Sequence, residues 1–192
     1  MNRVVLCLVL GCAVLAGAAG GRARSQPAAG TDTRPSWRSV LAGRVKEYGH
    51  RNWVVIADAA YPAQTRAGIE TVVTSADHFQ VVKAVLDELG TAKHVRPNVY
   101  TDAELWHVSD RDAPGAVECR KELKQLLGDR RPQSLPHAEL IETLDKAGEK
   151  FKILVLKTEM TVPYSSVFLE LDCGYWSAEA EQRLRESMKP RK

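Results

Sequence analysis

The sequence predicts an α/β fold with a largely buried sheet, and three observations predict it. The run Trp53-Val54-Val55-Ile56-Ala57 is apolar throughout and bounded by polar residues, as in a strand covered on both faces. Apolar segments of helical and of extended periodicity alternate along the chain. Beyond the N-terminal segment about 170 residues remain, enough for one domain with its own core.

Ser36 caps a first helix in which Trp37, Val40, Leu41, Val45 and Tyr48 share a face, with Gly49 as its end. The strand Trp53–Ala57 follows. Asp58 to Glu70 reads as a loop holding Pro62 and Gly68, long enough to be functional. Thr71–Thr74 reads as a short strand. Ser75 is placed to cap a second helix with Phe79, Val82, Val85, Leu86 and Leu89 inward and Gly90 past its end. Val95–Tyr100 and Leu105–Val108 read as extended, and Asp110 to Gly115 as a turn. Helices are expected over Ala116–Leu127 and His137–Lys150, strands over Ile153–Lys157 and Val167–Leu171, and a final charged helix over Ala178–Met188.

The N-terminus carries a separate signal. Asn2-Arg3 precedes an apolar stretch from Val4 to Leu15, and Ala16 to Gly20 offers small residues for cleavage. Residues 1–20 therefore read as a signal peptide, implying export to the periplasm or the medium with no stable membrane span after processing. A lipoprotein anchored at Cys12 is the alternative address. Residues 21–35, rich in Ala, Gly, Pro, Ser and Thr, read as a flexible linker. The remaining divisions are a domain over 36–176 and a helical extension over 177–192.

Composition removes several function classes. A net charge of +3 with both signs interspersed leaves no nucleic-acid footprint. Five histidines are present, but no His-x-His, HExxH or Cys-x-x-Cys spacing, so no metal site is expected. No Gly-rich phosphate loop follows Trp53–Ala57, and Gly-x-Ser-x-Gly is absent. Cys119 and Cys173 remain outside the signal, by default as two buried thiols, with a bridge between them as the alternative.

What is left is an acid–base set that needs no cofactor: His50, Asp58, His137 and Tyr164. Histidine suits proton transfer because its ordinary pKa lies near neutrality. A carboxylate just past a buried strand sits where α/β folds place their ligands. Each residue also has a purely structural reading. His50 can serve a helix C-terminus, Asp58 a turn, His137 a helix start and Tyr164 a packed strand entry.

As an ensemble these residues resemble the D-ribose pyranase and L-fucose mutarotase family. Gly49-His50 followed by Asp58-Ala59 and Pro62 is similar to its opening motif. Pro163-Tyr164-Ser165-Ser166, running into Val167-Phe168-Leu169, is similar to its closing motif, and His137-Ala138-Glu139-Leu140 resembles the helix start before the last two strands. The resemblance spans roughly Val40 to Gly174. It implies a single three-layer α/β/α domain with a mixed, mostly buried sheet. It further implies a monosaccharide substrate, His50 as general acid/base, and Asp58, His137, Tyr164 and Ser166 as sugar contacts. Ser166 departs from the family's Asn, the signal peptide is a second departure, and the tail from Ser177 has no counterpart.

Two expectations follow. The activity implied is mutarotase or pyranase chemistry, interconverting ring forms or anomers of a free sugar. The alternatives are an exported sugar-binding module of the same fold with weak or no turnover, and a scaffolding oligomer. The five-residue strand between His50 and Asp58 spans on the order of 13–16 Å. Unless the chain folds back at Arg51-Asn52, one sugar meets both residues only across a subunit boundary, which implies a homo-oligomer; the family's ring-like assemblies agree.

Overall fold

The computed structural model describes residues 35–189. The expected signal peptide, its alternative anchor at Cys12 and all of the linker but Pro35 lie outside the described residues.

Every position of β1 (Trp53–Ala57) is buried, as a continuous apolar run demands of a strand with layers on both sides. It lies inside a six-stranded sheet of order β2-β5-β1-β6-β3-β4. The other strands are β2 (Ile69–Val73), β3 (Val95–Asp102), β4 (Gln133–Leu135), β5 (Ile153–Lys157) and β6 (Val167–Cys173). β5 pairs in parallel with both β1 and β2, and β3 with β4. β6 alone runs against its neighbours, antiparallel to β1 and β3. The carboxyl ends of β1 to β5 and the amino end of β6 therefore share one edge of the sheet.

Strand side chains alternate between two layers, as the pleat requires. Val54, Ile56, Leu154, Leu156 and Leu169 face α1 (Trp37–Glu47), α2 (His78–Thr91) and α3 (Ala116–Leu127). Trp53, Val55, Ala57, Ile153, Val155 and Phe168 face α4 (His137–Ala147) through Leu140 and Leu144. The fold is thus α/β with three layers and a mixed sheet, three helices on one face and one on the other. Gly68, just before β2, is held where a Cβ would lie 2.5 Å from the carbonyl oxygen of Phe151, so only glycine fits.

Several elements differ from expectation. Ser36 does cap α1, its Oγ accepting the N–H of Ser39 at 3.2 Å, but the helix ends at Glu47. The N–H of Gly49 instead donates to Asn52 Oδ1 in the turn that leads into β1. Asp77 rather than Ser75 caps α2, accepting the N–H of Gln80 at 3.0 Å, while Ser75 turns with a φ of 48°. That helix runs through Gly90 to Thr91. Leu105–Val108 is not a strand: Ala103–His107 forms a 3-10 turn that buries Leu105. The strand expected over Thr71–Thr74 begins at Ile69 and ends at Val73. α4 stops at Ala147, three residues short, and β4 is an additional strand. Cys119 and Cys173 are both free thiols; Cys119 is buried and Cys173 half-buried.

The last element among the described residues is α5 (Ala178–Ser187), which buries none of its residues. No helix among the described residues is long and apolar enough to cross a membrane.

Candidate active site

The shared carboxyl edge collects the polar groups that strand ends deliver. Asp58 follows β1 directly and is nearly buried; its Oδ1 accepts the N–H of Ala60 at 2.9 Å. Ser166, the last residue before β6, donates its hydroxyl to Asp58 Oδ2 at 3.2 Å. The Asp58 N–H points back at Ser166 Oγ, 3.4 Å away.

One strand further out, β3 ends on Asp102, whose side chain is wholly buried. β4 pairs with exactly this end of β3, Asp102 opposite Leu135, and so brings His137 beside it two residues later. His137 Nδ1 lies 2.9 Å from Asp102 Oδ1, while Oδ2 has no hydrogen-bond partner. Burial pushes the Asp102 carboxyl up to about 6, against the pull of His137. The backbone N–H of His137 donates to both carboxylate oxygens of Glu104 at 3.0 Å, a helix-start contact that Pro136 cannot supply.

Tyr164 completes the group. Its backbone is left-handed, with a φ of 59°, in a turn pinned by the Ser165 hydroxyl donating to the carbonyl of Val162 at 2.7 Å. This turns the phenol ring onto the edge of His137, the centroids 5.5 Å apart and the planes at 76°. Asp58, Ala60, Tyr61, Pro62, His137, Pro163 and Tyr164 line a cavity of about 170 Å³. Tyr61 is buried, its hydroxyl donating to Gln64, and burial holds its phenol well above the ordinary range.

His78, the first residue of α2, is buried, with its pKa lowered to about 4 by desolvation. Thr158 donates its hydroxyl to the carbonyl of Ala57 at 2.8 Å, so His78 Nδ1–H is the donor of the 3.0 Å bond to Thr158 Oγ1. The His78 Nε2 lone pair has no partner.

His50 lies elsewhere. The backbone does turn at Gly49–Asn52, with Arg51 at a φ of 73°, but it leads to the carboxyl end of β6. There His50 Nδ1 stands 3.8 Å from Asp172 Oδ1, half-exposed. Arg96 holds the other oxygen of Asp172 with Nε at 3.1 Å and Nη2 at 2.6 Å, and so keeps that carboxyl below the ordinary range. Around His50 lies a second, wider cavity of about 500 Å³.

The structure therefore brings Asp58, His137, Tyr164 and Ser166 together and leaves His50 a full strand length away. Ser166 stands behind Asp58 rather than in the cavity wall. Asp102 was not foreseen, because the extended segment was expected to stop at Tyr100. Its one sequence signal is an acidic residue at the end of a β-rich run. Among the described residues no group of three or more His, Cys, Asp and Glu side chains could hold a metal ion.

These features define a three-layer α/β protein with acid–base side chains on two opposite sheet edges. The chain belongs to the RbsD / FucU transport protein family, whose sequence pattern matches residues 34–173. Comparison with curated proteins gave no match. Among solved structures, Bacillus subtilis RbsD complexed with D-ribose is similar at 20% identity and a TM-score of 0.51, covering 72% of this chain and 95% of that one. The fucose mutarotase of Streptococcus pneumoniae, in complex with L-fucose, shares 18% identity over 69% of this chain and 91% of that one, with a TM-score of 0.47. FucU from Bifidobacterium longum shares 18% identity over 70% and 92%, also at 0.47.

Proposed function

We propose that this protein is a cofactor-free monosaccharide mutarotase or pyranase. The observation that carries the reading is the carboxyl-edge cavity, where Asp58, Tyr164 and the Asp102–His137 pair converge. Family membership and the D-ribose complex of Bacillus subtilis RbsD support it.

Opening a cyclic hemiacetal requires a base to take the anomeric hydroxyl proton while an acid protonates the ring oxygen. The bond between the anomeric carbon and the ring oxygen breaks, a carbonyl forms, and closure reverses both transfers. His50 is the general acid/base. Asp58 accepts hydrogen bonds from sugar hydroxyls, with Ser166 holding its carboxylate, and His137 and Tyr164 contact the ring. Positioned proton transfer of this kind contributes roughly 10²–10⁴-fold.

His50 and Asp58 lie at opposite ends of β1, on the order of 13–16 Å apart along the strand. One sugar meets both when His50 of one copy faces the carboxyl-edge cavity of the next, so the active form is a homo-oligomer. Residues 1–20 address this enzyme to the periplasm or the medium.

Exchange NMR on a panel of monosaccharides tests the reading. Anomer or ring-form exchange accelerated by the wild type and not by His50→Ala supports it, and an active monomer in sedimentation defeats the shared site. The second reading, a sugar-binding module without turnover, is favoured by Ser166 where the resemblance expects Asn. Line broadening without exchange would be its signature.

A further inference from the structure

Opening a hemiacetal moves two protons, and His50 accounts for only one of the two groups that move them. The anomeric hydroxyl loses a proton while the ring oxygen gains one, so a second group has to face the sugar. The carboxyl-edge cavity, where the sugar is held, is the place to find it.

The cavity lining narrows the choice. Both oxygens of Asp58 already accept protein hydrogen bonds, Oδ1 from the Ala60 N–H and Oδ2 from the Ser166 hydroxyl. Tyr61 spends its hydroxyl proton on Gln64, and burial opposes ionisation of that phenol. Ala60, Pro62 and Pro163 have no side chain that titrates. His137 and Tyr164 remain.

His137 is set apart by what stands behind it. Asp102 Oδ1 lies 2.9 Å from Nδ1, Oδ2 has no partner, and the carboxyl group is wholly buried. An ionised carboxylate only accepts, so Nδ1 then carries the hydrogen and Nε2 presents its lone pair. Among the described residues the imidazole is the one hydrogen-bond donor to that side chain. A buried charge so placed is stabilised when the ring takes a proton at Nε2 and becomes an imidazolium. Desolvation raises the Asp102 carboxyl to about 6, with Glu104 and Asp58 adding to the effect, so the free Nε2 lone pair prevails above that pH.

The ring is also held in place. The His137 N–H donates to both oxygens of Glu104, and the Tyr164 ring packs on the imidazole at 5.5 Å between centroids. Tyr164 has no carboxylate behind it and meets His137 ring to ring.

We propose that His137 is a second catalytic residue, the base that takes the anomeric hydroxyl proton at Nε2, with Asp102 positioning it. As the proton moves to Nε2, the anomeric oxygen becomes a carbonyl oxygen. The electron pair of the broken ring bond goes to the ring oxygen, which His50 of the neighbouring copy protonates. Closure returns both protons, so each histidine ends as it began. This inference rests on the mutarotase reading and its shared site.

Exchange NMR on the full chain tests it, with D-ribose, L-fucose and D-glucose as probes. The proteins are the wild type, His137→Gln, His137→Ala and Tyr164→Phe. His137→Gln is expected to lower kcat on the order of 10²-fold, with KM within about threefold. It is also expected to flatten the acid limb of the pH–rate profile near pH 6, a change that loss of a sugar contact would not produce. Tyr164→Phe is expected to raise KM and keep that limb. Added imidazole is expected to raise exchange by His137→Ala about tenfold over the rate with imidazole and no protein.

A His137→Gln variant with raised KM but intact kcat and pH profile makes the ring a sugar contact only and overturns the proposal. Loss of the limb in Tyr164→Phe instead of His137→Gln, or no response of His137→Ala to imidazole, overturns it as well. Absence of exchange on every probe by the wild type overturns the mutarotase reading itself, and the second base with it.

Discussion

Asp102 Oδ1 and His137 Nδ1 are 2.9 Å apart, joining the last residue of one strand to the first residue of a helix 35 positions later. The contact fixes which imidazole nitrogen remains for the cavity, and it sets a buried carboxyl group behind a ring that lines it. Asp102→Asn is expected to lower sugar exchange on the order of 10²-fold and to reshape the acid limb of the pH–rate profile near pH 6. An unchanged profile would leave Asp102 with a packing role only.

The same carboxylate predicts a stability effect of defined sign. Between its ordinary value of 3.8 and about 6, the folded chain holds a proton on Asp102 that the unfolded chain has released. Stability falls as pH rises through that window, by about 3 kcal/mol. Asp102→Asn removes the penalty. Thermal melts should show the variant gaining on the wild type at pH 7.5 and not at pH 4.

His78 acts in the opposite direction. Its pKa is lowered from 6.5 to about 4, so the unfolded chain takes up the proton first as the solution is acidified. The stability it confers is complete above pH 6.5 and is lost as pH falls toward 4, by about 3 kcal/mol. Denaturant titrations of His78→Gln should show a smaller loss between pH 7 and pH 4.5 than the wild type.

Ser166→Ala deletes the hydroxyl that donates to Asp58 Oδ2 and leaves a buried oxygen short of a partner. A cost of about 1–2 kcal/mol in stability is expected, with about tenfold weaker sugar binding. Calorimetric melts and sugar titrations read the two effects separately. Ser166→Asn instead adds volume at a fully buried site, and about 1–3 kcal/mol of destabilisation is expected.

Arg96 ties β3 to Asp172 on β6 and to the Trp176 carbonyl. Arg96→Ala is expected to raise amide exchange across Trp176–Ser187 while β1 and β5 stay protected, as hydrogen-exchange mass spectrometry would report. Equal protection of the segment in both proteins would mean that Gly174 and the α5 contacts suffice.

Legibility followed the range of the interactions involved. Trp53–Ala57 reads correctly because a strand with layers on both faces needs no partner to declare itself. Ala116–Leu127 matches to the residue, since its apolar spacing and the glycine after it are local signals. β4 has only three residues and exists through pairing with Tyr100–Asp102, which nothing in Gln133–Leu135 announces. The exchange of Ser75 for Asp77 at the α2 cap has a similar origin: both types can cap, and the neighbouring chain decides. Of the site, Asp58 and His137 stand out by type and position, whereas Asp102 acquires its meaning only from the fold that buries it.

Tyr164 sits in a backbone region that a non-glycine residue enters at a cost of about 1–2 kcal/mol. The Ser165 bond to Val162 and the rigid ring of Pro163 hold it there. Folding thus settles the phenol's orientation in advance, and a ligand arrives at a finished wall. On the mutarotase reading, sugars would be sorted by which shapes that wall refuses, with no adjustment of the turn to accommodate a poor fit.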